Sequence, residues 1–146
     1  MTNFSRRRFL HGSGATALTL GVAPAASPLR NPLWQPNNEL RVACVGIRSR
    51  GTAHIGGLNK LKDVKVVALV DVDRDVLARE QKKLAEGKYG DKVTADTYTD
   101  LREVLDRDDI DAISVASPNH WHALQAVWAC QAGKDVYLEK PVSHNV

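Results

Sequence analysis

Two glycines, an arginine and an aspartate between Gly46 and Asp71 have the types and spacing to hold a phosphorylated nucleotide. Gly46 follows the apolar run Leu40–Val45 and allows a sharp turn, and Gly51 allows the next helix to pack closely on that strand. The start of such a helix offers free N–H groups and a partial positive charge to a pyrophosphate. Asp71 stands 20 residues beyond Gly51, at the end of the apolar run Val64–Val70. There a carboxylate can accept hydrogen bonds from a ribose diol. The usual G-x-G-x-x-G spacing has a middle glycine, and Arg48 stands in its place in Gly46-Ile47-Arg48-Ser49-Arg50-Gly51. An arginine there either adds a charge-assisted phosphate contact or crowds the ligand.

Two later stretches carry further candidates. Ser117-Pro118-Asn119-His120-Trp121-His122 follows the apolar run Ile110–Ala116, and Glu139-Lys140-Pro141 follows Asp135–Leu138. His120 and His122 are two apart and do not share a helix face, which argues against a metal pair. His122 alone reads equally as a helix-start histidine with satisfied hydrogen bonds, and Lys140 as an exposed lysine at a strand end. Cys44, in the first strand, and Cys130, in a later helix, read as buried small hydrophobes. Neither has a second ligand at a useful spacing, so no metal site is expected.

Alternating elements must position these residues. Leu40–Val45 and Val64–Val70 are strands separated by a helix. A helix over about Asp75–Glu86, capped by Asp73 or Asp75, buries Val76, Leu77 and Leu84 and solvates Arg79, Glu80, Lys82 and Lys83. Gly87 and Gly90 end it. Lys92–Thr94 reads as a third strand, Thr97–Asp106 as a short helix and Ile110–Ala116 as a fourth strand. Asn119 can cap a helix over His120–Ala132, with Trp121, Leu124 and Trp128 on one face. Asp135–Leu138 is a fifth strand. This alternation predicts an α/β fold, a Rossmann-like doubly wound parallel sheet in the order 3-2-1-4-5. Ligands bind such sheets outside the carboxyl ends of the strands, where Gly46, Asp71, Asn119 and Lys140 would converge.

The 146 residues fit one domain at most, residues 39–146, with a globular composition of 43% hydrophobic and 25% charged residues. The net charge of +3 is carried by Arg6, Arg7 and Arg8; the rest of the chain holds 17 basic and 17 acidic residues. That balance gives no support for a nucleic-acid partner. Ser5-Arg6-Arg7-Arg8-Phe9-Leu10, a weakly apolar run and Ala23-Pro24-Ala25 resemble a twin-arginine signal peptide over residues 1–26. This predicts export by the twin-arginine translocase to a periplasmic or other extracytoplasmic space, with a retained membrane anchor as the alternative. Pro28, Pro32 and Pro36 make residues 27–38 an extended linker.

From Leu40 to Val142 the strand-turn-helix opening, Val-Asp71-Val-Asp73, Ser117-Pro118-Asn119-His120-Trp121-His122 and Glu139-Lys140-Pro141 resemble the N-terminal domain of the Gfo/Idh/MocA oxidoreductases. The resemblance implies hydride transfer between a nicotinamide cofactor and sugars, cyclitols or related polyols. Gly46, Ile47, Arg48 and Gly51 would form the pyrophosphate turn. Asp71 would bind the adenosine ribose, favouring NAD over NADP because a carboxylate repels a 2′-phosphate. Ser117, Pro118, Asn119 and His122 would line the cofactor site near its ribose and nicotinamide end. Glu139 would contact the nicotinamide side, and Lys140 would be catalytic, polarising a hydroxyl or assisting proton transfer. Full-length members carry a second α/β domain with most of the substrate pocket, absent here, and are expected to be homo-oligomers. Two alternatives stand beside this reading: a nucleotide-binding module or fragment without turnover, and a glycosidase-like relative that oxidises its substrate transiently.

Overall fold

The computed structural model describes residues 39–143; the expected leader and linker, residues 1–38, lie outside them. Within that range the chain alternates β1 (Leu40–Val45), α1 (Arg50–Leu58), β2 (Val64–Val70), α2 (Arg74–Ala85), β3 (Asp96–Tyr98), α3 (Leu101–Leu105), β4 (Ala112–Val115), α4 (Asn119–Gln131) and β5 (Asp135–Leu138). Every strand pairing is parallel, and the sheet order is β3-β2-β1-β4-β5. The chain leaves β3 at one edge and returns on the other side of β1. The topological switch point is therefore the crevice between β1 and β4, where this architecture places ligands.

Strands buried on both faces explain the near-continuous apolar runs. On one face Cys44 and Leu69 pack with Ile55 of α1 and with Val76 and Leu84 of α2. On the other, Ala43, Val45 and Ile113 pack with Val104 of α3 and Ala129 of α4. Each fully buried Val, Leu or Ile contributes about 1.5–3 kcal/mol relative to exposure. The β1–β2 register shifts between Val42 and Ala43, and Val67 and Ala68 consequently both pack on the α3–α4 side.

Several sequence expectations are corrected. The third strand is Asp96–Tyr98, not Lys92–Thr94. Val93 is apolar because it packs in the α1–α2 core while the chain is still crossing over α2. The following helix begins at Leu101, not Thr97, because Tyr98 belongs to the strand and the Asp100 side chain caps the helix by accepting from Arg102 N at 2.9 Å. The fourth strand is shortened to Ala112–Val115. Asp73, rather than Asp75, caps α2.

Glu80 is not solvated: it is 1% exposed. It lies on the Val76–Leu84 stripe at i+4 spacing, and the helix turns it inward. Its Oε1 accepts from Arg79 Nε and Lys83 Nζ, each at 2.9 Å, and its Oε2 accepts from the Tyr89 hydroxyl. Burial pushes its carboxyl up, but these three donors outweigh burial and hold it below the ordinary carboxylate range. Burial and the Glu80 bond push the Tyr89 phenol up. Cys130 is exposed, contrary to expectation, whereas Cys44 is buried. Burial pushes the Cys44 thiol up to about 12, so it is a protonated, inert core group. Both cysteines are free. Only Trp128 of the α4 triplet packs against the core; Trp121 and Leu124 are exposed.

Candidate dinucleotide site

The geometry of the first turn accounts for its two glycines. Gly46 adopts φ +73°, and a Cβ there would stand 2.5 Å from Ser117 N. The β1 and β4 chain ends therefore touch through the hydrogen of Gly46. A Cβ on Gly51 would lie 1.9 Å from Gly46 O, so the first turn of α1 rests directly on the end of β1. Ser49, before α1, is a non-glycine residue at φ 41° and ψ −102°, with no side-chain cap bond. Such backbone strain is held only where surrounding structure imposes it. The Ile47 N–H donates to Asp71 Oδ2 at 3.1 Å. The neighbouring N–H groups of Arg48 and Ser49 donate to nothing among the described residues. They leave the turn able to receive an anion.

Asp71 is fixed at the tip of β2, with Oδ1 accepting from Asp73 N at 3.0 Å. It borders a cleft of about 490 Å³ at the carboxyl edge of the sheet, together with Gly46, Ser117 and Pro118. Thr99, Asp100, Arg102, Gln125, Trp121 and Trp128 complete the polar and aromatic lining; the sequence pattern gave the two tryptophans only a place on a helix face and did not single out the other four. The Asp100 carboxyl is held at about 2, first by the Arg102 side-chain bond. The size of the cleft and its carboxylate fit the adenosine of a dinucleotide, and the turn that follows Gly46 at its border offers the N–H groups for the pyrophosphate.

Asn119 is the first residue of α4 rather than its cap. Pro118 takes the cap position at φ −58° and ψ 143°, without a side-chain bond, since proline carries no polar side-chain atom. Ser117 Oγ donates to Gln125 Oε1 at 2.5 Å. His122 is 1% exposed, and its ring spans Pro141 O and Ser117 O, both at 2.7 Å. It thus braces the Ser117 turn against the Glu139-Lys140-Pro141 segment and does not line the cleft. Lys140 is exposed and precedes a cis Pro141.

Glu139 sits in a cluster that sequence reasoning missed. Its Oε1 accepts from Arg50 Nε at 2.7 Å and contacts His54 Nε2 at 2.9 Å, while His54 Nδ1 meets Ser114 Oγ at 2.8 Å. Tyr137 stands edge-on to the His54 ring, 5.3 Å between centroids. Ser–His–acid order suggests a nucleophile, but Ser114 is 1% exposed on a central strand and no substrate can reach its oxygen. The cluster is a brace between α1, β4 and the end of β5. The available signals were a lone Ser in an apolar strand and a His one residue before the buried Ile55. The His54 and Arg50 bonds hold the Glu139 carboxyl at about 2, below its ordinary 4.5. A depressed carboxylate stabilises the fold above the unfolded-state value and loses that contribution as pH falls through the folded value. Unfolding midpoints measured between about pH 6 and pH 2 should therefore fall more steeply for the unaltered chain than for Glu139→Gln, chiefly from about 4.5 to 2. Parallel curves would deny the coupling.

The strands are parallel, so the residues after β1, β2, β4 and β5 all emerge at one edge. A family model described as the oxidoreductase family, NAD-binding Rossmann fold (GFO_IDH_MocA), matches residues 40–146. The chain belongs to the Gfo/Idh/MocA family. It is 31% identical to glycosyl hydrolase family 109 protein 2 of Shewanella sp. (strain ANA-3), covering all of this chain and 35% of the relative. It is equally 31% identical to an alpha-N-acetylgalactosaminidase of Shewanella oneidensis, with the same coverage. Scyllo-inositol dehydrogenase from Lactobacillus casei, solved with bound NAD(H) and scyllo-inositol, superimposes with a TM-score of 0.63 at 26% identity. That match covers 73% of this chain and 29% of the dehydrogenase. The chain thus spans about a third of the length of these curated relatives. Among the described residues, no group of three His, Cys, Asp or Glu side chains could hold a metal ion, and no helix is long and apolar enough to cross a membrane.

Proposed function

We propose that this chain is the NAD-binding part of an exported enzyme that removes hydride from a carbinol carbon of a sugar or cyclitol. The observation that carries this reading is the glycine-closed turn with its open N–H groups beside the Asp71 carboxylate at the β1–β4 switch point. Bound there, a nicotinamide dinucleotide supplies the hydride acceptor. The chain's own residues do the rest. The Arg48 and Ser49 N–H groups receive the pyrophosphate, and Asp71 receives the ribose diol. The Ser117–Asn119 turn borders the central part of the cofactor. Glu139, held by Arg50 and His54, and His122, bonded to Pro141 O, fix the segment that presents Lys140. A lysine there can hold the substrate hydroxyl and take or return its proton. Export is supported by the Ser5-Arg6-Arg7-Arg8-Phe9-Leu10 sequence.

The similarity to a glycosyl hydrolase family 109 protein and an alpha-N-acetylgalactosaminidase favours a second reading of the reaction. In it the sugar is oxidised transiently, the glycosidic bond breaks, and the hydride returns, so that no reduced cofactor accumulates. Titration of the purified chain with NADH, followed by nicotinamide fluorescence, tests the shared premise. Saturable binding supports it, and an absence of binding would sink both readings. Incubation of the full-length protein with cyclitols and with aryl glycosides separates them, by NADH release in the first case and glycoside cleavage without NADH in the second.

A further inference from the structure

Arg48 occupies the place of the middle glycine, and the structure shows what holds it. Its guanidinium, on a side chain 61% exposed, is hydrogen-bonded to Asp73 Oδ2. Asp73 is two residues past Asp71, and its Oδ1 caps α2 by accepting from Asp75 N at 2.9 Å and Val76 N at 3.3 Å. The Asp73 N–H donates to Asp71 Oδ1, and the Ile47 N–H to Asp71 Oδ2. Ile47, Arg48, Asp71 and Asp73 thus form one closed clasp between the first turn and the tip of β2. Further along the cleft, Arg102 is engaged by Asp100, with Nη2–Oδ2 at 2.5 Å. Each of these two guanidinium groups is already matched with a carboxylate, and among the described residues Asp71 accepts only from main-chain N–H groups, with no guanidinium paired to it.

An arginine fork is well suited to a phosphate because its N–H groups bind two oxygens at once. A ribose 2′-phosphate placed at Asp71 would bring a further charge of about −1.5 to −2. It would meet a carboxylate and find the nearby guanidinium occupied. We propose that Asp73 is a cofactor-specificity residue: by engaging Arg48 it withholds the guanidinium from a ribose 2′-phosphate and, with Asp71, restricts the site to the dinucleotide bearing a 2′-hydroxyl. This rests on the NAD reading above. It assigns the arginine a definite role, as a phosphate-binding group neutralised by its own partner.

The test compares NADH and NADPH dissociation constants, measured by nicotinamide fluorescence on the full chain, for the unaltered protein, Asp73→Asn, and Asp73→Asn combined with Arg48→Ala. Asparagine is an effective helix cap, so the first replacement removes charge while retaining the start of α2. Asp73→Ser, a second cap-competent replacement, guards against an effect peculiar to one side chain. The unaltered chain should prefer NADH. Both Asp73 variants should shift the preference toward NADPH by about tenfold or more, roughly the scale of one charge-assisted hydrogen bond. Adding Arg48→Ala should cancel the shift. The gain should shrink as salt is raised, because the freed guanidinium is exposed. An unchanged NADPH-to-NADH ratio in a variant that still binds NADH would overturn the inference and leave the NAD reading intact. A shift that persists without Arg48 would also overturn it. Failure of the unaltered chain to bind either nucleotide would remove the NAD reading, and this inference with it.

Discussion

Gly51→Ala is expected to destabilise the fold severely and to abolish dinucleotide binding. The added methyl carbon would stand 1.9 Å from Gly46 O and 2.8 Å from Gly46 C. Both atoms are main chain, so no rotamer change can relieve the overlap. Relief requires α1 to lift from β1, or Gly46 to leave φ +73°, where it closes against Ser117. Overpacking in a core typically costs about 1–3 kcal/mol when side chains can yield. Here only backbone can yield, so a loss at or above about 3 kcal/mol is expected, a large share of a domain's usual 5–15 kcal/mol or so. Helix propensity alone predicts the opposite sign, since alanine exceeds glycine by about 1 kcal/mol in a helix interior. Gly57, in the same helix, provides the control, because a Cβ there meets nothing within 4 Å. Gly57→Ala should raise the urea midpoint while Gly51→Ala lowers it. If both variants moved in the same direction, close packing at the turn would not be what Gly51 provides.

Asp71→Ala is expected to weaken NADH binding by about 1–3 kcal/mol, roughly 5- to 150-fold, through loss of charged hydrogen bonds to the ribose. The structure adds a second consequence. The same carboxylate receives the Ile47 and Asp73 N–H groups, so its removal also loosens the first turn and the tip of β2. Asp71→Asn keeps one oxygen acceptor at nearly the same shape and should retain more thermal stability than the alanine variant. Calorimetric titration with NADH beside thermal unfolding of both variants separates the two roles. Undiminished affinity in Asp71→Ala would exclude Asp71 from the ribose site. A fall in stability without a fall in affinity would leave it as a turn-bracing residue only.

Most of the sheet was legible because each central strand is written as a largely apolar run followed by a turn signal. Leu40–Val45, Val64–Val70 and Asp135–Leu138 need no tertiary information to be read as strands. Asp96-Thr97-Tyr98 was not legible. It is a short edge strand against Ala68–Val70, with two of its three residues exposed, so no apolar run marks it. Lys92–Thr94 took its place because Val93 is apolar for a different reason, packing over α2. The charge of Glu80 signals solvent, but its place on the Val76–Leu84 stripe and its three donors bury it. The glycine and Asp71 positions of the candidate site could be read from spacing alone. The Glu139 cluster could not, since it joins Arg50 and His54 of α1 to Ser114 of β4 and to the end of β5, with partners up to 89 positions apart.

The sequence by itself determined the order of elements, the edge at which their functional ends meet, and the turn that requires glycine at 46 and 51. Those features follow from local rules: apolar period, turn chemistry and the handedness of parallel crossovers. Only the tertiary structure decided where the polar side chains of that edge spend their hydrogen bonds. Arg48 goes to Asp73, Glu139 to Arg50 and His54, and His122 to the carbonyls of Ser117 and Pro141. A long polar side chain can reach several partners, and spacing along the chain does not rank them. Their choice is made when burial removes water as the competing partner and the packed elements fix which donors and acceptors are within about 3 Å.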